Sequence, residues 1–251
     1  MITIPRFLLL SLALVGDIVA VLPKTKRESL DFCFGKRIEF YKRQSLTNAI
    51  YRLLITKKIK KVVEDGNVKI EITSVGLKAL GMSLNLNKFS AKPWDGTWRL
   101  VVFDIEEKAK KDRDSLRWKL KELGFAMLQE SVWISPLPLE KELGEYFNNQ
   151  KIKGEVLLTR SKVLVGDQKA LAEKCWGLDE LNEKYQDLCG QWKERRVENS
   201  IKEAFNFENK FLNLVLKDPF LPKDLLPELW YGKKAQQIYL KQVRKALQIK
   251  G

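Results

Sequence analysis

The sequence predicts an α+β protein in three parts. These are an N-terminal winged helix-turn-helix (residues 1–84), a ferredoxin-like βαββαβ domain (98–168) reached through a linker (85–97), and a helical C-terminal domain (169–251). Three observations predict it. Apolar helical stripes lead into two short alternating runs separated by Asp65-Gly66, the strongest short-range hairpin signal in the chain. Strand-like and helix-like segments then alternate from Trp98 onward. After Gly166 the apolar residues fall three and four apart. A hydrophobic content of 45% with 10% aromatics is that of a folded chain.

The apolar run Phe7 to Leu22 is 16 residues, shorter than the roughly 20 that span a bilayer. Gly16 and Asp17 interrupt it, and no small-x-small cleavage site follows. It is therefore expected as a buried first helix, from Arg6 to about Val21, with no membrane partner. Glu28 to Phe34, stopped by Gly35, is expected as the second helix. Between Glu39 and Thr56, Leu46, Ile50, Leu53 and Leu54 fall at i, i+4, i+7 and i+8, which defines the inner face of a third helix. Arg43, Ser45, Thr47, Asn48, Tyr51 and Arg52 are left mostly outside it. Ile59 to Glu64 and Val68 to Thr73 are the hairpin strands, the second alternating through Val68, Ile70 and Ile72. Residues 81–97 are rich in turn formers and poor in periodicity, so the first boundary falls there.

Trp98 to Asp104 reads as a buried strand, Arg113 to Leu123 as a helix carrying Leu116, Leu120 and Leu123, and Glu130 to Ser135 as a strand. Leu139 to Phe147 reads as a second helix, and Glu155 to Val165 as one or two strands. Leu178, Leu181, Tyr185, Leu188 and Trp192 begin the helical part, and Ile201, Ala204, Phe205, Leu212 and Val215 continue it on a similar face. A proline-punctuated turn, Asp218 to Pro227, precedes a last helix of about Lys233 to Leu247.

Composition narrows function. Lys plus Arg is 46 against 32 Asp plus Glu, a net charge of +14. Residues 1–92 carry 17 basic and 7 acidic side chains, so most of the surplus is N-terminal, as expected for a surface that meets a polyanion. There is no histidine, which removes imidazole as general base and as zinc ligand. Cys33, Cys175 and Cys189 show no CxxC pair, which suits buried thiols in a reducing, cytoplasmic compartment.

A helix of this size fits the major groove, where Arg and Asn make bidentate contacts to base edges while Lys, Ser and Thr hold phosphates. On helix 39–56, Arg43, Asn48 and Arg52 are the candidate base readers, and Ser45, Thr47 and Tyr51 are candidates for mixed contacts. Lys57, Lys58 and Lys69 are candidate phosphate contacts near the helix end and wing. Asp104, at the end of a strand, is the one candidate for a metal-bound catalytic carboxylate. A hydrolytic metal needs several oxygens, however, and adjacent Glu106 and Glu107 point in other directions on an extended segment. A turn-capping role is expected for Asp104, and no cofactor. Of the tryptophans, Trp98, Trp133 and Trp192 are expected in cores, and Trp230 is left open between core and ligand pocket.

Two blocks carry a family resemblance. Trp94-Asp95-Gly96-Thr97-Trp98, Val101 to Ile105, Arg113, Leu116, Leu120, Gly124-Phe125 and Ser131 to Pro136 resemble the central domain of the PaaX-type transcriptional repressors. Asp218-Pro219-Phe220-Leu221-Pro222, Leu225 to Trp230 and Gly232 are similar to that family's C-terminal signature. At the N-terminus the likeness is of architecture. The resemblance implies a homodimer whose winged helices bind double-stranded DNA at an operator. It also implies a small acyl-CoA or aromatic-acid effector on the C-terminal part, at residues the sequence does not identify. The middle block also resembles the small CRISPR-associated nuclease that partners the integrase. That alternative implies an Mg-dependent endonuclease or an integration subunit centred on Asp104, and leaves the N-terminal and C-terminal parts unexplained. A third reading is a protein-interaction module with an acidic partner.

Overall fold

A computed structural model describes residues 3–15, 43–64, 67–80, 93–150, 152–162, 166–194 and 201–248. In chain order the elements are α1 (Ile4–Val15), α2 (Arg43–Ile55), β1 (Ile59–Glu64), β2 (Asn67–Ile72) and α3 (Ser74–Ala79). Then follow β3 (Trp98–Asp104), α4 (Lys110–Glu122), β4 (Ala126–Gln129), β5 (Val132–Ser135), α5 (Glu140–Asn149) and β6 (Glu155–Ser161). The helices α6 (Gln168–Trp176), α7 (Leu178–Glu194), α8 (Ile201–Val215) and α9 (Tyr231–Gln248) complete the chain. The expected second helix, 28–34, lies outside the described residues, as does the expected continuation of α1 beyond Val15.

Contacts group these elements into two units that alternate along the chain. One comprises residues 1–80, 180–218 and 229–251, the other 81–179 and 219–228. The units cut across the bounds read from the sequence. Most of the helical C-terminal third joins the N-terminal elements, while α6 and the proline-punctuated turn join the central sheet.

In the first unit α1 is buried on nearly every side, with Phe7, Leu9, Leu10, Leu12 and Leu14 all in the core. A helix apolar all round needs neighbours all round. α1 has them in α2, β2, α3 and α8. That burial accounts for its share of the N-terminal apolar run, and among the described residues no helix is long and apolar enough to cross a membrane. β1 and β2 pair antiparallel from Ile59 opposite Ile72 to Glu64 opposite Asn67, on either side of Asp65-Gly66. Aromatic rings join the C-terminal helices. Phe211 stacks on Tyr239 at 4.9 Å and on Phe207 at 6.3 Å, and Trp192 lies 5.0 Å from Phe207. The Tyr185 hydroxyl donates to the Asp218 carboxylate at 3.1 Å, and burial with that neighbouring charge pushes the phenol well above its usual range. Trp230 packs edge-on against Tyr185 at 5.6 Å.

The second unit holds a four-stranded antiparallel sheet in the order β4-β5-β3-β6, and the strands alternate with helices as βαββαβ. This is the expected ferredoxin-like arrangement. The second strand is Ala126–Gln129, which the sequence reading passed over; a four-residue strand with a single buried position, Ala126, leaves almost no alternation to read. Val101, Phe103 and Trp133 on the sheet face Leu116 and Leu120 of α4 and Leu143 of α5 in one core. Trp98, buried, stacks on Trp176 at 6.4 Å and meets Trp94 edge-on at 5.2 Å. The Trp94 amide donates to Asp224 at 3.2 Å, so the proline-punctuated turn is fastened to the start of the domain.

Candidate nucleic-acid interface

α2 is a helix because its apolar residues form one stripe. Leu46, Ala49 and Leu53 are buried, while Ile50 and Leu54, expected on the inner face, sit half-buried at its margins. Ile50 and Leu54 lie on the same side of the stripe, so the buried face is turned away from them and toward Ala49. Opposite it Gln44, Asn48, Tyr51, Arg52 and Ile55 are exposed, Tyr51 to 64%. Gln44, Asn48, Tyr51 and Ile55 follow one another at i, i+4, i+7 and i+11, a single ridge along the helix.

The end of the helix is built to a fixed geometry. Thr56 Oγ1 donates to the Arg52 carbonyl at 2.7 Å, and the Lys57 and Lys58 amides donate back to Leu54 at 3.0 Å and Leu53 at 2.8 Å. Lys57 stands in the left-handed region (φ 54°), the position that most often falls to glycine. The hairpin is tied to this same turn, because Thr73 Oγ1 donates to the Lys57 carbonyl at 2.6 Å and the Thr73 amide to the Lys58 carbonyl at 3.0 Å. Gly76 lies so close that a Cβ there would collide with the Lys58 carbonyl.

The expected site residues are distributed as follows. Asn48, Tyr51, Arg52 and Lys57 are exposed, and Ser45, Thr47 and Lys58 are half-buried. Arg43 opens α2 and Lys69 pairs with Val62 in the hairpin; the side chains of both lie outside the described residues. Gln44 was missed. Its Nε2 donates to Asn48 Oδ1 at 3.0 Å, which orients the Asn48 amide and leaves its NH2 group turned to solvent. The i, i+4 spacing of two amides was the available signal. On the hairpin Lys60 is held by Glu71 at 2.7 Å, whereas Lys61 is exposed.

Asp104 lies in the second unit at the exposed end of β3, in register with Glu155. It lines an open cavity together with Arg113, Arg117, Glu130 and Ser131. Among the described residues there is no group of three or more Asp, Glu, Cys or His placed to hold a metal ion. Mg²⁺ demands near-octahedral oxygen coordination, and two guanidiniums in the same cavity work against it. Cys189 is buried and Cys175 half-buried, and burial pushes the Cys175 thiol above its ordinary range.

Residues 91–172 match the family model described as the PaaX protein central Cas2-like domain, and residues 176–250 match that of the PaaX-like protein C-terminal domain. Together these cover more than half of the chain. The transcriptional repressor PaaX of Escherichia coli (strain K12) is 26% identical over an alignment of 162 positions that covers 58% of this chain and 50% of that repressor. The aligned region thus takes in about half the length of the curated relative. Among solved structures, the uncharacterized protein Rv0674 from Mycobacterium tuberculosis aligns over 98% of this chain and 96% of its own, with a TM-score of 0.60 and 20% identity; this is a likeness of fold.

Proposed function

Because the chain belongs to the PaaX family, we propose that it is a DNA-binding transcriptional repressor that reads duplex DNA with α2 and the β1–β2 hairpin, acting together as a winged helix-turn-helix. The observation that carries the reading is the outer ridge of α2. Asn48 and Arg52 are the two residue types best suited to bidentate contact with adenine and guanine edges. They stand exposed beside Tyr51, on a helix whose other face is buried, in the part of the chain that carries most of the positive charge. Lys57, Lys58 and Lys61 flank the ridge at the helix end and hairpin, where phosphate contacts would set the register without reading sequence. In this reading the protein is a cytoplasmic homodimer without catalytic activity, and its two winged helices meet successive half-sites.

An acyl-CoA or aromatic acid bound to the C-terminal part is proposed as the effector, on the strength of the family alone; it must prefer one spacing of the two readers to act as a switch. Calorimetric titration of candidate acyl-CoAs tests this part, and a flat trace against all of them removes it. The DNA reading is tested by measuring duplex affinity across a salt series. Phosphate contacts release counterions and give a log-log slope of roughly −0.9 for each contact on duplex DNA. A slope near zero would contradict the reading and favour an acidic protein partner. Nothing among the described residues favours the magnesium-dependent nuclease alternative at Asp104.

A further inference from the structure

We propose that the C-terminal half of the α2 ridge, Tyr51 and Ile55, reads thymine methyl groups in the major groove, so that A·T steps close to the base met by Asn48 determine which duplex is bound. The inference rests on the DNA-reading function of α2 and adds the chemistry of its target. Tyr51 is 64% and Ile55 62% exposed. They stand four residues apart, and so side by side on the outward ridge. Leu46, Ala49 and Leu53 fill the inner face of the helix, so the outer pair is not needed to bury it. A single exposed hydrophobic residue is ordinary on a protein surface. Here two large ones continue the line of the hydrogen-bonded amides Gln44 and Asn48, which makes one surface that is polar at one end and apolar at the other.

The charges around the pair select its partner. From residue 43 to residue 58 the sequence holds Arg43, Arg52, Lys57 and Lys58 and no carboxylate, and Arg52 and Lys57 are exposed. An apolar patch framed by cations alone suits a polyanion that carries apolar groups of its own. Duplex DNA is such a polymer, and among the groups its four base pairs present in the major groove only the thymine C5-methyl is apolar. The polar end of the ridge calls for the other base of the same pair. Gln44 Nε2 occupies one lone pair of Asn48 Oδ1 at 3.0 Å. The oxygen keeps a second lone pair and the amide nitrogen its donors, the combination that matches adenine N6 and N7. Seven residues at about 1.5 Å each carry Ile55 about 10 Å along the helix from Asn48, a span of no more than about three base pairs. The turn that follows Ile55 is fixed by the Thr56 hydroxyl and the Lys57 and Lys58 amides, so its side chain meets the groove in a set register with the hairpin.

The full-length protein should be used to select duplexes from a random-sequence pool, and the selected duplex made twice, with thymine and with uracil, which lacks only the C5-methyl. Fluorescence anisotropy at one salt concentration then gives the two affinities. The expected result is a selected duplex with A·T steps whose uracil form binds about fourfold more weakly for each methyl contacted. Tyr51→Ala and Ile55→Ala, made singly and together, should bring the thymine-to-uracil ratio toward one, whereas Tyr51→Phe, which keeps the ring, should retain it. Both positions are exposed, and the ratio is taken within each variant, so a change in overall stability does not mimic the effect. Selection of G·C sequence alone, equal wild-type affinities for the two forms, or a ratio unchanged in the double variant would each overturn the inference and leave the DNA reading standing. Absence of binding to every duplex in the pool would overturn the reading on which it rests, and the inference with it.

Discussion

A guanidinium only 4% exposed persists at Arg99 because acceptors surround it. Nη1 and Nη2 clasp Asp95 at 2.9 and 2.5 Å, Nε donates to Glu140 at 3.0 Å, and Nη1 also reaches the carbonyls of Thr97 and Pro136. Arg160 shares the Glu140 carboxylate at 2.8 Å. Removing one partner of a buried pair strands the others, so Arg99→Ala should destabilise the second unit by about 3 kcal/mol. A drop in the urea midpoint at unchanged m-value would show it. The hydrogen bond from Arg99 holds Asp95 below the usual carboxylate range. At Glu140 burial pushes upward but is outweighed by its own backbone amide and by Arg99, so it too is lowered. Groups whose folded values are lowered add stability that is complete above their ordinary values of 3.8 and 4.5 and is lost as the pH falls through the folded ones. Acid titration should accordingly lower the stability of wild type as the pH falls below about 4, and Asp95→Asn should flatten that dependence. On α2 the single-residue effects should divide by role. Asn48→Ala or Arg52→Ala should cost about 1–3 kcal/mol on the preferred duplex and relax the preference at one base pair. Lys57→Ala should weaken all duplexes alike and reduce the salt slope by roughly one.

At the scale of elements, the junction of α2 with the hairpin decides whether base and phosphate contacts act as one reader. Thr73 binds the carbonyls of Lys57 and Lys58, and Gly76 leaves no room for a side chain against Lys58. Gly76→Ala should therefore push α3 off the helix end and destabilise the first unit by about 1–3 kcal/mol, readable as a lowered Tm. Asn182 performs a similar service for α9: its Oδ1 accepts from the Tyr231 amide at 2.7 Å, and its Nδ2 donates to the Leu229 carbonyl at 2.8 Å. α2 was legible in the sequence because Leu46 and Leu53 mark its period, and the hairpin because Asp65-Gly66 separates two β-branched runs. β4 was not, since only Ala126 of its four residues is buried, whereas the i, i+4 spacing of Gln44 and Asn48 was there to read and only its hydrogen bond needed the structure. The PaaX-like motifs were legible for a physical reason: Asp95 holds a buried guanidinium, Trp98 is a core ring, and the proline-rich turn supplies buried Leu221 and Leu225.

For the whole molecule, the interleaving of the two units is what local sequence patterns could not reveal. Periodicity finds helices but does not say which core receives them, and α8 packs on α1 across nearly two hundred residues of chain. A chain ending at residue 179 would leave the apolar side of α1 uncovered, including Phe7, which otherwise lies 6.4 Å from Phe205. Such a fragment should lose cooperative folding of the first unit and duplex binding with it, measurable by circular dichroism and gel shift. The net charge of +14 predicts a salt-dependent association with any duplex, above which specificity must rise. The measurement that tests the central claim most directly is a gel shift with labelled duplex DNA in magnesium and in EDTA, each sample also run on a denaturing gel. The repressor account predicts a salt-sensitive shift in both, intact DNA, and loss of the shift in the Asn48→Ala plus Arg52→Ala variant. Magnesium-dependent cutting that Asp104→Ala abolishes would contradict it.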